Sequence, residues 1–431
     1  MISRRQFLAL GTTISAAGVL AACSSGGSGA TTSPPAAATT TATDSTTTDA
    51  PTTTGPPATA EPTTDAPTTL AATTTTVDLA TLATAYSEVG PHPVGVTTLA
   101  LAKGPAVEVW YPAVADTTGS VSYDVRDFVP DAIRALLTAD IPATFSFAGA
   151  RDAAAADGTF PVVLFSHGFS GFRLQSTFLT AHLASWGFVV AAPDHPSRDL
   201  SDVLLNTATG DRDDSVDDLL HTLDLVVAQG DDAAALLAGH VDGTQVVAVG
   251  HSAGGGTIVG AALDPRVAGY VSLASGVSLG RGDATATTVP VELPDTPSFF
   301  IAGALDGIVS AVDVTRPSFE SVPTPTRLWV IDGVGHNGFD DFCTFGNGTG
   351  IIGVAEASGL GALLDAQPQL KSLGQDGCLP PAVPVEQTFP IIRHAVTAWI
   401  RALFGVDAEP VGLGADVAGE YPVAVTIDER L

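Results

Sequence analysis

The sequence predicts an α/β protein built on a mainly parallel sheet with helices on both faces, and three observations support this. Short apolar runs rich in β-branched residues alternate with longer segments that suit helices, which is the order of βαβ units. These runs are apolar almost throughout, as expected of strands buried on both faces. No repeat of about 20–50 residues divides the chain, so the folded part, residues 81–431, is expected to be one domain.

The composition excludes several classes of function. Of the 431 residues, 45% are apolar, and 17 Lys and Arg stand against 46 Asp and Glu, which gives a net charge of −29. Nucleic-acid binding needs clustered basic side chains, so we expect no nucleic-acid partner. The charge also repels anionic lipid surfaces. Solubility and monomeric behaviour are its simplest interpretation, and a salt-rich habitat is the alternative.

Residues 1–22 resemble a twin-arginine lipoprotein signal peptide. Arg4 and Arg5 precede a mildly apolar run that is short for a membrane span, which takes about 20 residues. The run ends in Leu-Ala-Ala-Cys, which resembles the lipobox of bacterial lipoproteins, with the cysteine at Cys23. The resemblance implies export, cleavage before Cys23, lipidation of its sulfur and anchoring to the outer face of the cell membrane. An uncleaved anchor helix is the alternative.

Residues 23–80 are predicted to form a disordered tether. From residue 24 to 76 they are almost all Thr, Ala, Pro, Ser, Gly and Asp, with no aromatic, Lys or Arg side chain. Such a segment buries too little apolar surface to offset the entropy lost on ordering. Its Pro-Thr pairs favour extended backbone, so the tether would hold the folded domain away from the membrane.

The folded part begins with a predicted β-hairpin made of Val94–Leu101 and Ala106–Pro112. The strands predicted after it are Pro161–Ser166, Phe188–Pro193, Gln245–Gly250, Ala268–Ala274, Ser298–Gly303 and Arg327–Asp332. The predicted helices are Ser176–Trp186, Ser215–Val227, Ala253–Leu263 and Phe389–Phe404. Two long loops, Ser275–Thr296 and Asn337–Thr388, follow strands at the edge where α/β sheets place their sites.

The strand that ends at Gly250 leads into Gly-His-Ser-Ala-Gly, which fits the pattern G-x-S-x-G. The pattern alone is weak, but here it joins a predicted strand to a predicted helix. A sharp strand-to-helix turn strains the serine backbone, and small flanking residues avoid clashes. Ser252 is therefore the candidate nucleophile, and a tight turn without chemistry is the alternative.

A serine hydroxyl becomes a good nucleophile only when a base takes its proton. His336 follows the last predicted strand of the parallel set and is the candidate base; Asp306 follows the strand before it and is the candidate orienting carboxylate. The chain order Ser, Asp, His is that of the α/β-hydrolase fold, which is therefore the predicted fold. Asp340 and Asp341, close after His336, are the alternatives to Asp306.

Two backbone N–H groups are expected to stabilise the oxyanion that forms on attack. We predict that they belong to Ala253, directly after the nucleophile, and to Phe169, in the loop after the strand Pro161–Ser166. Ordinary core packing is the alternative role for Phe169. Asp194-His195 also follows a strand, and we predict a structural hydrogen-bonding role for it because no ligand spacing closes a metal shell. Neither a metal nor a cofactor is expected.

Cys343 and Cys378 are an even pair in a chain predicted to be exported. A disulfide is their natural interpretation. In the chain-entropy model it would add about 4 kcal/mol to the free energy of unfolding. Two free buried thiols are the alternative.

Five segments together resemble the exported bacterial serine hydrolases related to platelet-activating-factor acetylhydrolase and dienelactone hydrolase. They are Gly90–Gly95, Val109–Pro112, Phe165–Gly168, Gly250–Gly255 and Gly335–Phe339. The resemblance spans about residues 90 to 405 and implies the same triad and the same oxyanion donors. Dienelactone hydrolases proper use cysteine as the nucleophile, so their lactone chemistry does not carry over to Ser252.

The elbow and triad are also similar to those of actinobacterial polyester hydrolases, which often have Met after the serine and Trp after the next strand. Here Ala253 and Ala274-Ser275-Gly276 stand at those positions. We therefore predict an esterase for neutral or lipid-like small-molecule esters, with a polymeric, cutinase-like substrate as the alternative. Acyl transfer by the same triad and a non-catalytic surface-binding role are the remaining alternatives.

Overall fold

The structure, a computed structural model, describes residues 78–277 and 292–431. The predicted signal peptide, Cys23 and the predicted tether as far as residue 77 lie outside the described residues. Residues 278–291, in the middle of the predicted Ser275–Thr296 loop, lie outside them as well. Within the two described ranges, every helix is too short or too polar to cross a membrane.

The strands of the described chain are β1 (Val94–Ala100), β2 (Ala106–Pro112), β3 (Ser120–Asp124), β4 (Thr144–Ala148), β5 (Ala150–Arg151), β6 (Phe160–Ser166), β7 (Val189–Pro193), β8 (Val241–His251), β9 (Val267–Leu273), β10 (Ser298–Gly303), β11 (Thr326–Ile331) and β12 (Val425–Arg430). Ten of them form the central sheet, in the order β12-β11-β10-β9-β8-β6-β7-β2-β1-β5, and β3 and β4 pair in a separate two-stranded sheet. The six strands β6 to β11 are parallel to one another, whereas β2 and β12 join them antiparallel. The predicted mainly parallel sheet and the predicted hairpin, β1–β2, are confirmed.

Helices cover both faces of this sheet. The α-helices are α1 (Leu79–Thr84), α2 (Asp131–Arg134), α3 (Thr177–Ser185), α4 (Leu200–Leu205), α5 (Arg212–Asp231), α6 (Ala253–Ala261), α7 (Arg316–Ser321), α8 (Gly350–Ala355), α9 (Gly361–Asp365), α10 (Pro368–Gln375) and α11 (Phe389–Leu403). Successive side chains of β6 alternate between faces: Val163 and Phe165 pack in one apolar cluster with residues of α3 and α11. Val162 and Leu164 pack in a second cluster with residues of α5 and α6.

The structure corrects three expectations about irregular segments. The Asn337–Thr388 segment is not a plain loop, because it contains α8, α9 and α10. These helices have eight residues or fewer, so their sequences show no long apolar period. Strand β12 was not predicted, because four of its six residues are polar or charged and it lies at a half-exposed sheet edge. Helix α1 begins at Leu79, inside the stretch expected to be tether, since the Asp78 side chain caps its first turn.

Candidate active site

The turn that carries the candidate nucleophile lies between β8 and α6, and Ser252 alone separates them. Its backbone has φ 53° and ψ −122°, which is strained for a residue with a side chain. A Cβ on Gly250 would lie 2.4 Å from the carbonyl oxygen of Gly254, and a Cβ on Gly254 would lie 2.0 Å from that of Ser166. Glycine at both positions therefore lets the chain turn sharply against the end of β6.

The side chains predicted to form a triad meet at the carboxyl edge of the sheet. Ser252 follows β8, Asp306 follows β10 and His336 follows β11. Ser252 Oγ lies 2.9 Å from His336 Nε2, and His336 Nδ1 lies 2.9 Å from Asp306 Oδ2. All three residues are less than a tenth exposed. In this arrangement the imidazole can take the hydroxyl proton while the carboxylate holds the ring.

Backbone donors orient the Asp306 carboxylate. Its Oδ1 accepts hydrogen bonds from the N–H groups of Ile308, at 2.9 Å, and Val309, at 2.7 Å. Because these donors occupy Oδ1, the other oxygen faces the ring of His336. Nδ1 then carries the proton that it donates to Oδ2, and Nε2 is left to accept from the Ser252 hydroxyl. This is the tautomer that a general base requires.

The alternative carboxylates have other partners. Asp341 accepts hydrogen bonds from the Thr177 and Phe178 N–H groups at the start of α3 and from the Tyr123 hydroxyl. Burial raises the pKa of Asp341 to about 8. One oxygen of Asp340 accepts from the N–H of Phe342, and burial raises the pKa of this carboxyl well above its usual range. The carboxylate on the His336 ring is that of Asp306.

The predicted oxyanion loop lies directly beside the nucleophile. A Cβ on Gly168 would lie 3.2 Å from the Cβ of Ser252, so Phe169 directly follows a residue that lies against the nucleophile. Phe169 is half-buried rather than part of the closed core. Ala253 is the first residue of α6, where the N–H has no partner within the helix ladder. Both residues thus border Ser252, and their role as oxyanion donors stays a prediction.

Asp376, which no sequence pattern indicated, links the loop of Asp306 to the loop of His336. Its Oδ1 accepts a hydrogen bond of 2.6 Å from the His336 N–H, and its Oδ2 accepts one of 3.1 Å from the Gly307 N–H. One carboxylate therefore holds the backbone beside both Asp306 and His336. The only signal in the sequence was its position two residues before a candidate disulfide cysteine.

The predicted disulfide between Cys343 and Cys378 is present in the structure. It ties the segment that follows Asp376 to the start of the Asn337–Thr388 region. The same segment packs tightly on the base loop, since a Cβ on Gly335 would lie 2.5 Å from the Cα of Gly377. The disulfide therefore fixes the chain that supports the candidate base.

A second Ser-His-Asp arrangement lies beneath the site. Ser166 Oγ is 2.9 Å from His195 Nε2, and His195 Nδ1 is 3.1 Å from Asp218 Oδ2. Ser166 and His195 are fully buried and Asp218 is 2% exposed, so an ester cannot reach them. Arg198 also donates to Ser166 Oγ, at 2.7 Å. Burial lowers the pKa of His195 well below its usual value, so its ring is neutral.

This buried cluster supports the oxyanion loop. Arg198 Nε donates to the carbonyl of His167, and the Arg198 carbonyl accepts from the N–H of Ser170, so one residue holds both sides of Phe169. Its Nη1 donates to Thr257 in α6. His195 thus has the structural hydrogen-bonding role that the sequence favoured, and Asp194 likewise binds the backbone and side chain of Arg173.

Comparisons with known proteins agree with this architecture. The family described as PET hydrolase-like matches residues 148–366, just over half of the chain and a range that contains Ser252, Asp306 and His336. A solved structure of a ferulic acid esterase from Streptomyces cinnamoneus superposes with a TM-score of 0.53 at 20% sequence identity. The match covers 78% of this chain and 96% of that chain, and it supports the fold. No curated protein sequence matches.

Proposed function

This chain belongs to the PET hydrolase-like family and is a carboxylic ester hydrolase, and we propose that it is an exported, lipid-anchored serine esterase for neutral esters. The predicted α/β-hydrolase class is confirmed by the family and the fold. The observation that carries the catalytic proposal is the hydrogen-bonded series Ser252, His336 and Asp306 at the carboxyl edge of the sheet.

In the proposed mechanism, Ser252 Oγ attacks the ester carbonyl carbon while its proton passes to Nε2 of His336. Asp306 stabilises the imidazolium, and the N–H groups of Phe169 and Ala253 bind the negatively charged carbonyl oxygen. The imidazolium then gives its proton to the departing alcohol oxygen, which leaves an acyl group on Ser252. Water, deprotonated by His336, attacks that acyl group, and the acid is released as the serine hydroxyl reforms.

The net charge of the protein and the apolar side chains beside the candidate triad both favour neutral esters. The net charge of −29 disfavours the approach of anionic substrates. The loop that carries Asp306 also exposes apolar side chains, with Leu305 42% and Ile308 37% exposed. Phe169, in the loop beside the nucleophile, adds a half-buried ring. These features favour an apolar acyl or alkyl group next to Ser252.

We expect the purified chain to prefer a neutral acyl group over a charged one of similar length. The kcat/KM for p-nitrophenyl butyrate should exceed that for the hemisuccinate ester, which differs by a terminal carboxylate, by about tenfold or more, because the protein's field repels the anion. Initial rates at low ionic strength measure this, and the ratio should shrink as salt is added. A ratio near one would refute the proposed preference.

A polyester is the second candidate substrate, and family membership favours it. Ala253 and Ala274-Ser275-Gly276 replace the Met and Trp that often occur in polyester hydrolases, which argues for a small soluble ester. Product release from PET film, run beside ethyl ferulate and a lysophospholipid, separates the candidates. An ester product formed in the presence of added alcohol would instead identify acyl transfer.

Export and anchoring rest on residues 1–22 and Cys23, outside the described residues. We expect the wild-type chain to enter the membrane fraction of a bacterial host and to incorporate labelled palmitate, and Cys23→Ala to lose the label, because the thiol is the lipidated atom. Ser24→Ala is the matched control. Changing Arg4 and Arg5 to Lys should block export. Palmitate label that persists in Cys23→Ala would contradict the lipoprotein assignment.

A further inference from the structure

One continuous hydrogen-bonded bridge joins the predicted oxyanion loop to the candidate base. Gln175, just before α3, is 1% exposed, and its Oε1 accepts a hydrogen bond of 3.0 Å from the Gly168 N–H. Its Nε2 lies 2.6 Å from Nδ1 of His251, the residue that precedes the nucleophile. Nε2 of His251 lies 3.0 Å from the carbonyl oxygen of His336.

The donors and acceptors of this bridge are fixed from one end to the other. A backbone N–H can only donate, so the Gln175 atom that faces Gly168 is the oxygen and the NH₂ group faces His251. Nδ1 of His251 must then accept, and its Nε2–H donates to the His336 carbonyl. Burial lowers the pKa of His251 well below its usual value, which keeps the ring in this neutral form.

The backbone packs closely against the side chains of this bridge. A Cβ on Gly171 would lie 2.0 Å from Gln175 Oε1, and a Cβ on Gly168 would lie 3.3 Å from His251 Nδ1. The rings of His251 and His336 lie 4.9 Å apart. The oxyanion loop, the nucleophile turn and the base loop therefore meet around one buried amide and one buried imidazole.

We propose that Gln175 is a positioning residue that, through His251, sets the oxyanion loop against Ser252 and His336. This inference rests on the proposed function, because it concerns alignment of the same triad and oxyanion donors. A displacement of about 1 Å at a reacting centre can cost about 10²-fold in rate. The bridge acts on the geometry of the transition state, so its loss lowers kcat far more than it raises KM.

The test replaces Gln175 with Met, which has similar length and volume but lacks the amide. We expect kcat for p-nitrophenyl butyrate to fall by about 10²-fold with KM changed by less than about threefold. Gln245→Met, the same exchange near the start of the apolar half of β8, is the matched control and should keep wild-type kinetics. Thermal unfolding of each variant shows whether it is folded at the assay temperature.

His251→Phe breaks the bridge from its other end and keeps the ring shape, so the prediction does not depend on the folding of one variant. If the two residues act through one bridge, the kcat of the double variant should be no lower than that of the less active single variant. Multiplied losses, a wild-type kcat in folded Gln175→Met, or a change confined to KM would each overturn the positioning role. Failure of the wild-type chain to hydrolyse any ester would instead remove the proposed function itself, and this inference with it.

Discussion

Replacing Ser252 with Ala should lower kcat for ester hydrolysis by about 10⁶-fold, because the attacking oxygen is removed and no acyl-enzyme can form. The Oγ atom is hydrogen-bonded to His336 Nε2, and its loss leaves the backbone of the turn unchanged. We therefore expect the variant to unfold at nearly the wild-type temperature. Burst kinetics with p-nitrophenyl butyrate measure the loss, and a fluorophosphonate probe should label the wild-type chain and not the variant.

Ser166→Ala is the matched control, since Ser166 has the same kind of histidine neighbour at the same 2.9 Å. It lies fully buried beneath the oxyanion loop, so the probe cannot reach it. The variant should keep the label on Ser252 and lose stability by about 1–3 kcal/mol, because His195 and Arg198 lose a buried partner. If labelling disappeared in Ser166→Ala and persisted in Ser252→Ala, the nucleophile would be Ser166 and the assignment of Ser252 would be wrong.

The parallel strands were predictable because strands buried on both faces must be apolar along their whole length. The runs at β6, β7 and β10 are of this kind and were placed to within a residue. Strand β12 obeys a different constraint: it pairs antiparallel at an edge, where one face meets water and charged residues are tolerated. Its sequence therefore resembles that of a loop.

The candidate site was predictable to the extent that it follows from strand ends. Ser252, Asp306 and His336 each lie within five residues of the end of a parallel strand, and the carboxyl ends of such strands meet at one edge. Gln175 and Asp376 do not stand at strand ends, and each accepts a hydrogen bond from a backbone N–H group, Gln175 from one seven residues earlier and Asp376 from one 40 residues earlier. No periodicity or motif encodes such a contact, so it becomes visible only when the loops are placed in space.

Replacing Asp306 with Asn should lower kcat by about 10⁴-fold without disturbing the fold, because the exchange fixes the wrong tautomer of His336. The N–H groups of Ile308 and Val309 still require an oxygen acceptor, so the Asn carbonyl must take the place of Oδ1. The NH₂ group then faces Nδ1 of His336, which can no longer donate. The ring proton moves to Nε2 and points at Ser252, so the imidazole cannot accept the hydroxyl proton.

Asp340→Asn separates this effect from the loss of any buried carboxyl near the site. Burial raises the pKa of Asp340 well above its usual range, which favours the uncharged acid, a side chain of almost the same shape as Asn. Its Oδ1 can still accept from the N–H of Phe342, and we expect kcat to stay within about tenfold of wild type. If Asp340→Asn were the inactive variant and Asp306→Asn the active one, the orienting carboxylate would have been misassigned. We expect a sharp contrast between the two variants, because both exchanges remove one oxygen and only the one at position 306 reverses the direction of a hydrogen bond to the base.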